Sequence, residues 1–390
     1  MLRLLIVQTG DYAEAWHRLK TGGQETFRDQ RHSVEHIATL ADQHEIVVLA
    51  GCDRVYDEML APNLRSIGLS SSHFWSRLKR RQLRKLLDDI NPDQVVVGMP
   101  NLTVLSWAAQ RGLLTLPLFA DTFESDGPRP RRWNRSIEKA LAEIHSPCVS
   151  NHSLAASQSL MHLNIPKDKI VPWEHLAIEA NPDPKLAPGT STIQLLFVGQ
   201  ASQSKGLGDC IEALHILHRQ QRQTTLTVMG PGHTQPFVDQ ARSHGLIDFR
   251  GQVGADQVQQ AMRDHDVVVV ASRHDYAEGL PNTVYETLAS RTPLVASDHP
   301  AIASRLSPGV DSMQFKAADS SSLAEQLSLL INDRELYERL SQHSAKALNG
   351  LYVGIERQAL ITLFVDDPKD KTGWVRRHSL DRLSGKHEAD

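Results

Sequence analysis

The stretch HDYAEGLPNTVYETLAS, residues 274–290, sets Glu278 and Glu286 eight positions apart around Gly279, Leu280, Pro281 and Asn282. It follows the apolar run VVVVA at 267–271 and precedes PLVAS at 293–297, the pattern of a crossover between parallel strands. Asn282 is suited to cap a helix over about 283–290, whose first amides would then face out of the strand ends and suit a phosphate. Gly279 allows close approach of a ligand and Pro281 stiffens the turn. Glu286, one turn into the helix, would repel a phosphate unless it grips hydroxyls, as a ribose diol offers. Glu278 on the loop would face whatever the phosphates carry.

A second group lies in FVGQASQSKGLGDCIEAL: Gly199 ends a strand, Gln200 opens a polar loop, and Lys205-Gly206 starts a helix. A lysine beside a helix N-terminus can neutralise a diphosphate without a metal ion. MGPGH at 229–233 adds a glycine-rich turn after the next strand. HSVEH at 32–36 fits the HxxEH zinc pattern, but an apolar stripe of Val34, Ile37, Ala38 and Ala41 and the lack of a third ligand favour partly exposed helix histidines.

The elements that must position these residues alternate along the chain as βαβ units. Strands are expected at 2–7, 45–50, 94–98, 115–119 and 147–150, then at 193–199, 225–230, 247–251, 266–272 and 293–297. Helices are expected near 24–43, 73–90, 101–112, 132–144 and 153–163. At 390 residues the chain exceeds the size of one ordinary core, so two domains are expected. The Pro-rich EANPDPKLAPGTST reads as a linker. The expected division is a first domain over 1–178, a linker over 179–192, a second domain over 193–350, a helix over 351–366 crossing back, and a flexible polar tail over 367–390.

A net charge of −4 and a pI near 6.5 give no electrostatic reason to bind nucleic acid. Cys52, Cys148 and Cys210 form neither a disulfide framework nor a metal clamp, which fits a reducing cytoplasm. The short apolar N-terminus reads as a strand and not a signal peptide. No run approaches the ~18 apolar residues that span a bilayer. Over 75–87, Arg77, Arg80, Arg81 and Arg84 share one helical stripe and Leu83, Leu86 and Leu87 another. Such a helix is either solvated on its basic side or rests on an anionic membrane, at the inner face, where it would meet a lipid-linked acceptor. RPRRWNR at 129–135 adds a second basic patch.

With EGLPNTVYE and LLFVGQASQSKGL, residues 193–300 resemble the retaining group 1 (family 4) glycosyltransferases. TGG at 21–23 extends the likeness more weakly as that family's N-terminal glycine loop. The resemblance implies the GT-B architecture, an α/β fold of two Rossmann-like, doubly wound domains facing across a cleft. It implies a hexosyltransferase-type enzyme that moves a sugar, with retention, from a nucleotide sugar to a glycan, lipid-linked or small-molecule acceptor, without metal or other cofactor.

By the same resemblance Lys205 would bind the donor diphosphate, Glu286 the ribose and Glu278 the transferred sugar. The amides of Gly279 to Asn282 and the Gly199–Gln200 turn would lie by the phosphates, Gly23 would close on the diphosphate, and the backbone at Val253 would flank the base. Several positions depart from the family pattern, among them Thr287 and Arg291 in the helix, VPWEHLAI at 171–178, Gln200 and Asp121. Gln200 stands where the family has arginine, for which Arg273 would substitute, and Asp121 stands where it has an acceptor-side histidine. These departures support a rival reading, a non-catalytic sugar- or partner-binding protein of the same architecture. A nicotinamide dehydrogenase is disfavoured because no N-terminal strand leads into GxGxxG.

Overall fold

The computed structural model describes residues 1–70, 79–123, 128–189, 192–232, 234–241, 246–277 and 279–384. The chain forms two units. The first contains Met1–Glu25, Asp29–Leu176 and Val353–Asp390, the second Thr26–Arg28 and Ala177–Tyr352.

The first unit holds β1 (Arg3–Thr9), β2 (Glu45–Cys52), β3 (Tyr56–Ala61), β4 (Leu64–Ser70), β5 (Gln94–Val97), β6 (Leu114–Phe119), β7 (Val149–His152) and β8 (Ile170–Glu174). The second holds β9 (Thr192–Val198), β10 (Gln223–Met229), β11 (Ile247–Gly251), β12 (Val267–Val270), β13 (Leu294–Ser297) and β14 (Met313–Phe315). A last strand, β15 (Ile355–Glu356), returns to the first unit and pairs with β8. The sheet orders are β15-β8-β7-β6-β5-β1-β2-β4-β3 and β11-β10-β9-β12-β13-β14. All pairings are parallel except the β3–β4 hairpin. Helices on both faces bury the central strands, which is why Leu4–Val7 and Val267–Val270 read as unbroken apolar runs.

Several expectations need correction. The helix expected near 24–43 is the shorter Gln30–Leu40, and an unexpected helix, Tyr12–Lys20, precedes it, capped by Asp11, whose side chain accepts from the Glu14 amide at 3.0 Å. The β3–β4 hairpin is an addition to the expected strands: YDEMLA alternates weakly and lies at the sheet edge. The segment 179–192 is not a free linker, since the Asn181 amide donates to Ala289 O at 2.8 Å and the Lys185 amide to Ser341 Oγ at 2.7 Å, lacing it to the second unit. In helix Arg80–Ile90, Leu83, Leu87 and Ile90 pack into the first unit's core. Arg77 and the rest of 71–78 lie outside the described residues.

The chain after Tyr352 belongs to the first unit, where helix Arg357–Asp366 buries Leu360, Ile361 and Phe364. The flexible tail is overturned through Ser384. Helices Trp374–His378 and Leu380–Ser384 follow, and Trp374, Val375 and Leu380 are buried in the first unit's cores. A polar average over the segment hides the apolar anchors Trp374, Val375 and Leu380. Trp374 is wholly buried and its indole N–H donates to Asp367 O at 3.0 Å. Trp374→Ala is expected to destabilise the first unit by about 3–5 kcal/mol. Urea unfolding followed through that unit checks this, and an unchanged midpoint would refute the tail's structural role.

Candidate functional site

In the second unit β9 is central, with β10 and β11 on one side and β12, β13 and β14 on the other. The chain therefore reverses direction across β9 and β12, the place where open parallel sheets bind ligands at their strand ends. Among the loops that leave that edge are those at Gly199, Gly230, Gly251 and Ala271. Two are in backbone contact with neighbours: a Cβ at Gly230 would collide with Gly199 O, and one at Gly206 with Ala271 O. Both glycines have positive φ (140° and 75°), so glycine is required twice over.

Lys205 lies on the turn before helix Leu207–Arg219 and its ammonium stands 4.4 Å from the centroid of the Tyr276 ring. The lysine is thus carried over the 273–277 loop that leads into the glutamate motif. Arg273 is placed differently from expectation. Its guanidinium makes a bidentate pair with Asp209 in the first turn of the same helix, at 2.8 and 2.6 Å, and Gln203 Oε1 accepts from it as well. Asp209 is buried, so the pair neutralises Arg273 and pins the loop to the helix. Its charge is not spare for a diphosphate. Gln200 is exposed.

The helix after the motif runs Asn282–Ser290. Pro281, not Asn282, occupies the cap position and no side chain caps the helix, so its first amides keep their donors for something else. Thr283 Oγ1 donates to Val198 O at 3.3 Å, tying this end of the helix to the tip of β9. Leu280 is a core residue packed with Val270, Val284 and Tyr285, leaving only its backbone for a ligand. Gly279 and Pro281 are likewise buried. Val253 packs half-buried against the Leu196–Met262 cluster. Glu278 lies outside the described residues.

Glu286 is 7% exposed, and no hydrogen bond to its carboxylate forms among the described residues. Burial pushes its pKa up to about 7, against a smaller pull downward from Arg28. A cavity of about 410 Å³ opens beside it, walled by Ile178, Asn181, Gln259, Arg263 and Ala289. Arg28 carries no sequence signal of a site residue. It is buried, its guanidinium lies 4.9 Å from the centroid of the Tyr285 ring, and it donates to Tyr352 Oη at 3.1 Å and to Asn282 Oδ1 at 3.4 Å.

In the first unit Asp121 follows β6. Burial raises its pKa, and its carbonyl accepts from Asn151 at 2.7 Å. Gly23 ends a helix rather than opening one. Its amide donates to Arg18 O at 2.8 Å, its carbonyl accepts from Arg31 at 3.0 Å, and a Cβ there would lie 2.5 Å from Arg18 Cγ. Both backbone polar groups are used internally, so the expected phosphate contact through Gly23 has no donor to rest on. His32 pairs with Asp29 at 3.1 Å and His36 with Thr362 at 2.9 Å. Burial, with Arg357 nearby, lowers His36 to about 4. Sequence reasoning also misses a polar cluster at the ends of β7 and β8, where His152 faces Glu174 at 3.6 Å and His175 meets Asp29 at 3.0 Å.

Residues 180–347 match the family described as glycosyl transferases group 1. Over 165 residues the chain is 28% identical to glycogen synthase of Mycobacterium tuberculosis, covering 41% of this chain and 39% of that protein. It is 26% identical over 155 residues to alpha-D-kanosaminyltransferase of Streptomyces kanamyceticus, 39% of each. The chain thus spans about two fifths of the length of these curated relatives. Among solved structures, Anabaena HepE in complex with UDP superposes with a TM-score of 0.63 at 13% identity, covering 94% of this chain and 99% of that one. Sucrose-phosphate synthase from Thermosynechococcus elongatus gives 0.66 at 13%, covering 93% and 98%. At such identities the likeness is one of fold, the GT-B fold of two α/β units with parallel sheets.

The pH dependence of stability follows from Glu286. Between about 4.5, its ordinary value, and about 7 the folded state holds a proton that the unfolded state has released. Stability therefore falls as pH rises through that window and levels off above it. Glu286→Gln is expected to stabilise the ligand-free protein above pH 7, by at most about 3 kcal/mol, and to leave it unchanged near pH 4. Urea titrations at both pH values check this, and an equal effect at the two would contradict the burial of a titrating carboxyl.

Proposed function

We propose that this chain, whose residues 180–347 match the glycosyl transferases group 1 family, is a glycosyltransferase that transfers a sugar from a nucleoside-diphosphate donor bound at the strand ends of its second unit. The observation that carries the proposal is Glu286, a buried carboxylate with no hydrogen-bond donor among the described residues, one turn inside a helix whose N-terminus no side chain caps. A vicinal diol supplies two donors to such a carboxylate. A diphosphate attached a few bonds away suits the amides at Asn282 and Thr283 and the Lys205 ammonium. Glu278, by its place in the sequence motif, would face the transferred sugar.

In the reaction the bond between the sugar's anomeric carbon and the diphosphate oxygen breaks, and its electron pair leaves with the diphosphate. The acceptor hydroxyl oxygen bonds to the anomeric carbon and its proton passes to the departing phosphate oxygen. Attack from the leaving-group face retains configuration and needs no protein nucleophile. Lys205 and the helix amides stabilise the charge that develops on the leaving group, so this chemistry proceeds without a divalent ion. The acceptor is a glycan, a lipid-linked sugar or a small molecule. The second reading, a binding protein without turnover, draws on exposed Gln200 and on Arg273 being neutralised by Asp209, which together leave fewer cations for the leaving group.

Thermal stabilisation by UDP, GDP and ADP, with and without EDTA, tests donor binding. One diphosphate is expected to stabilise wild type by about 2.7 kcal/mol at a hundredfold excess over Kd, unaffected by EDTA, and to fail on Glu286→Ala. Because a diol needs the carboxylate ionised, affinity is expected to drop up to tenfold per unit as pH falls below about 7. Lys205→Ala is expected to lower donor hydrolysis by a factor of about ten to a hundred. Stabilisation of wild type without measurable hydrolysis of any nucleotide sugar would favour the binding-protein reading.

A further inference from the structure

Arg28 stands out in the second unit as a buried cation that the donor reading does not use. Among the described residues, its guanidinium lies over the Tyr285 ring at 4.9 Å and donates to Asn282 Oδ1 at 3.4 Å and to Tyr352 Oη at 3.1 Å. Tyr352 is itself tied down, since its hydroxyl accepts from the Ile178 amide at 3.0 Å and its ring lies 5.3 Å from that of Tyr285. Positions 282, 285 and 286 lie on one face of a helix, so a cation seated on the first two is adjacent to the third. We propose that Arg28 is a positioning residue for Glu286, a fixed positive charge against which the buried carboxylate can stay ionised and accept a diol. The inference rests on the donor reading above.

The surroundings of Glu286 support this division. The other charged groups at its cavity are Glu179 and Arg263. Arg263 is occupied by the carbonyls of Asp183 and Ser290, at 3.2 and 3.0 Å. The pull of Arg28 on the Glu286 pKa is downward, opposing burial. A planar guanidinium suits the task because it can stack on a ring and donate from its edge at once, which an ammonium cannot.

The test is a double-mutant cycle on the full chain without nucleotide: wild type, Arg28→Gln, Glu286→Gln and the double variant, unfolded by urea near pH 5 and near pH 8.5. Removing Arg28 is expected to lower the folding equilibrium constant about tenfold more at the higher pH, where Glu286 is charged, than at the lower, where it is neutral. That pH dependence should vanish in the Glu286→Gln background, and Arg28→Lys, which keeps the charge but not the stacking, should restore it only in part. If Arg28→Gln does not fold, Tyr352→Phe releases the guanidinium from one bond and should show the same sign with smaller size. An effect equal at both pH values, or one that persists without Glu286, overturns the proposal. The cycle contains no nucleotide, so its outcome is separate from the donor reading, which fails instead if no diphosphate stabilises wild type.

Discussion

A carboxylate held almost out of water is the constraint around which the second unit is arranged. Val284, Tyr285, Thr287, Leu288 and Ala289 surround Glu286 along its helix and all are buried, so the helix is a core element carrying one ionisable group. Leaving such a group uncompensated costs several kcal/mol, and a core of this size would be more stable with an apolar residue there. The fold retains it with one buried guanidinium nearby and a cavity alongside. Strain of this kind is characteristic of a site whose partner arrives from outside.

What keeps the rest of the site in register is close backbone contact, reinforced by a few polar side-chain links. Gly230 against Gly199 O and Gly206 against Ala271 O bring the strand-end loops to van der Waals distance. The Arg273 amide donates to Ser204 O at 2.8 Å, and its side chain closes on Asp209, so the lysine turn and the loop before the glutamate motif move as one body. Lys205 over Tyr276 is a third link between the same two loops. A parallel sheet supplies such convergence because every strand delivers its loop to the same edge.

How much of this is legible in the sequence follows from the range of each interaction. The second unit's strands are readable because a parallel strand buried on both faces is a local apolar run. The glutamate motif and Lys205-Gly206 are readable because a strand-turn-helix join is complete within a dozen or so residues. The partners of those residues are not. Arg28 reaches Asn282 across 254 positions, and Asp209 captures Arg273 across 64, so no local pattern records either. Gly23 shows the opposite error: a glycine pair before a helical stretch resembles a phosphate loop until Arg18 and Arg31 are seen to use both its polar groups. Trp374 is lost in a charged average for the same reason, since its core lies far away in sequence.

The distribution of charge at the strand ends argues for a division of labour. Among the described residues near the β9–β12 switch, Arg273 is neutralised by a buried aspartate, and the Lys205 ammonium stands over the Tyr276 ring. A helix N-terminus carries about half a positive charge. On the proposed reading, two such termini, at Leu207 and Asn282, together with Lys205 would present roughly two positive charges to a nucleotide diphosphate. Arginine at position 200 would add to that sum, whereas the charge of Arg273 is already spent in its pairing with Asp209, which locks the loop. The glutamine there is therefore consistent with an anion site built on backbone amides and one lysine, with the guanidinium groups assigned to holding carboxylates in place.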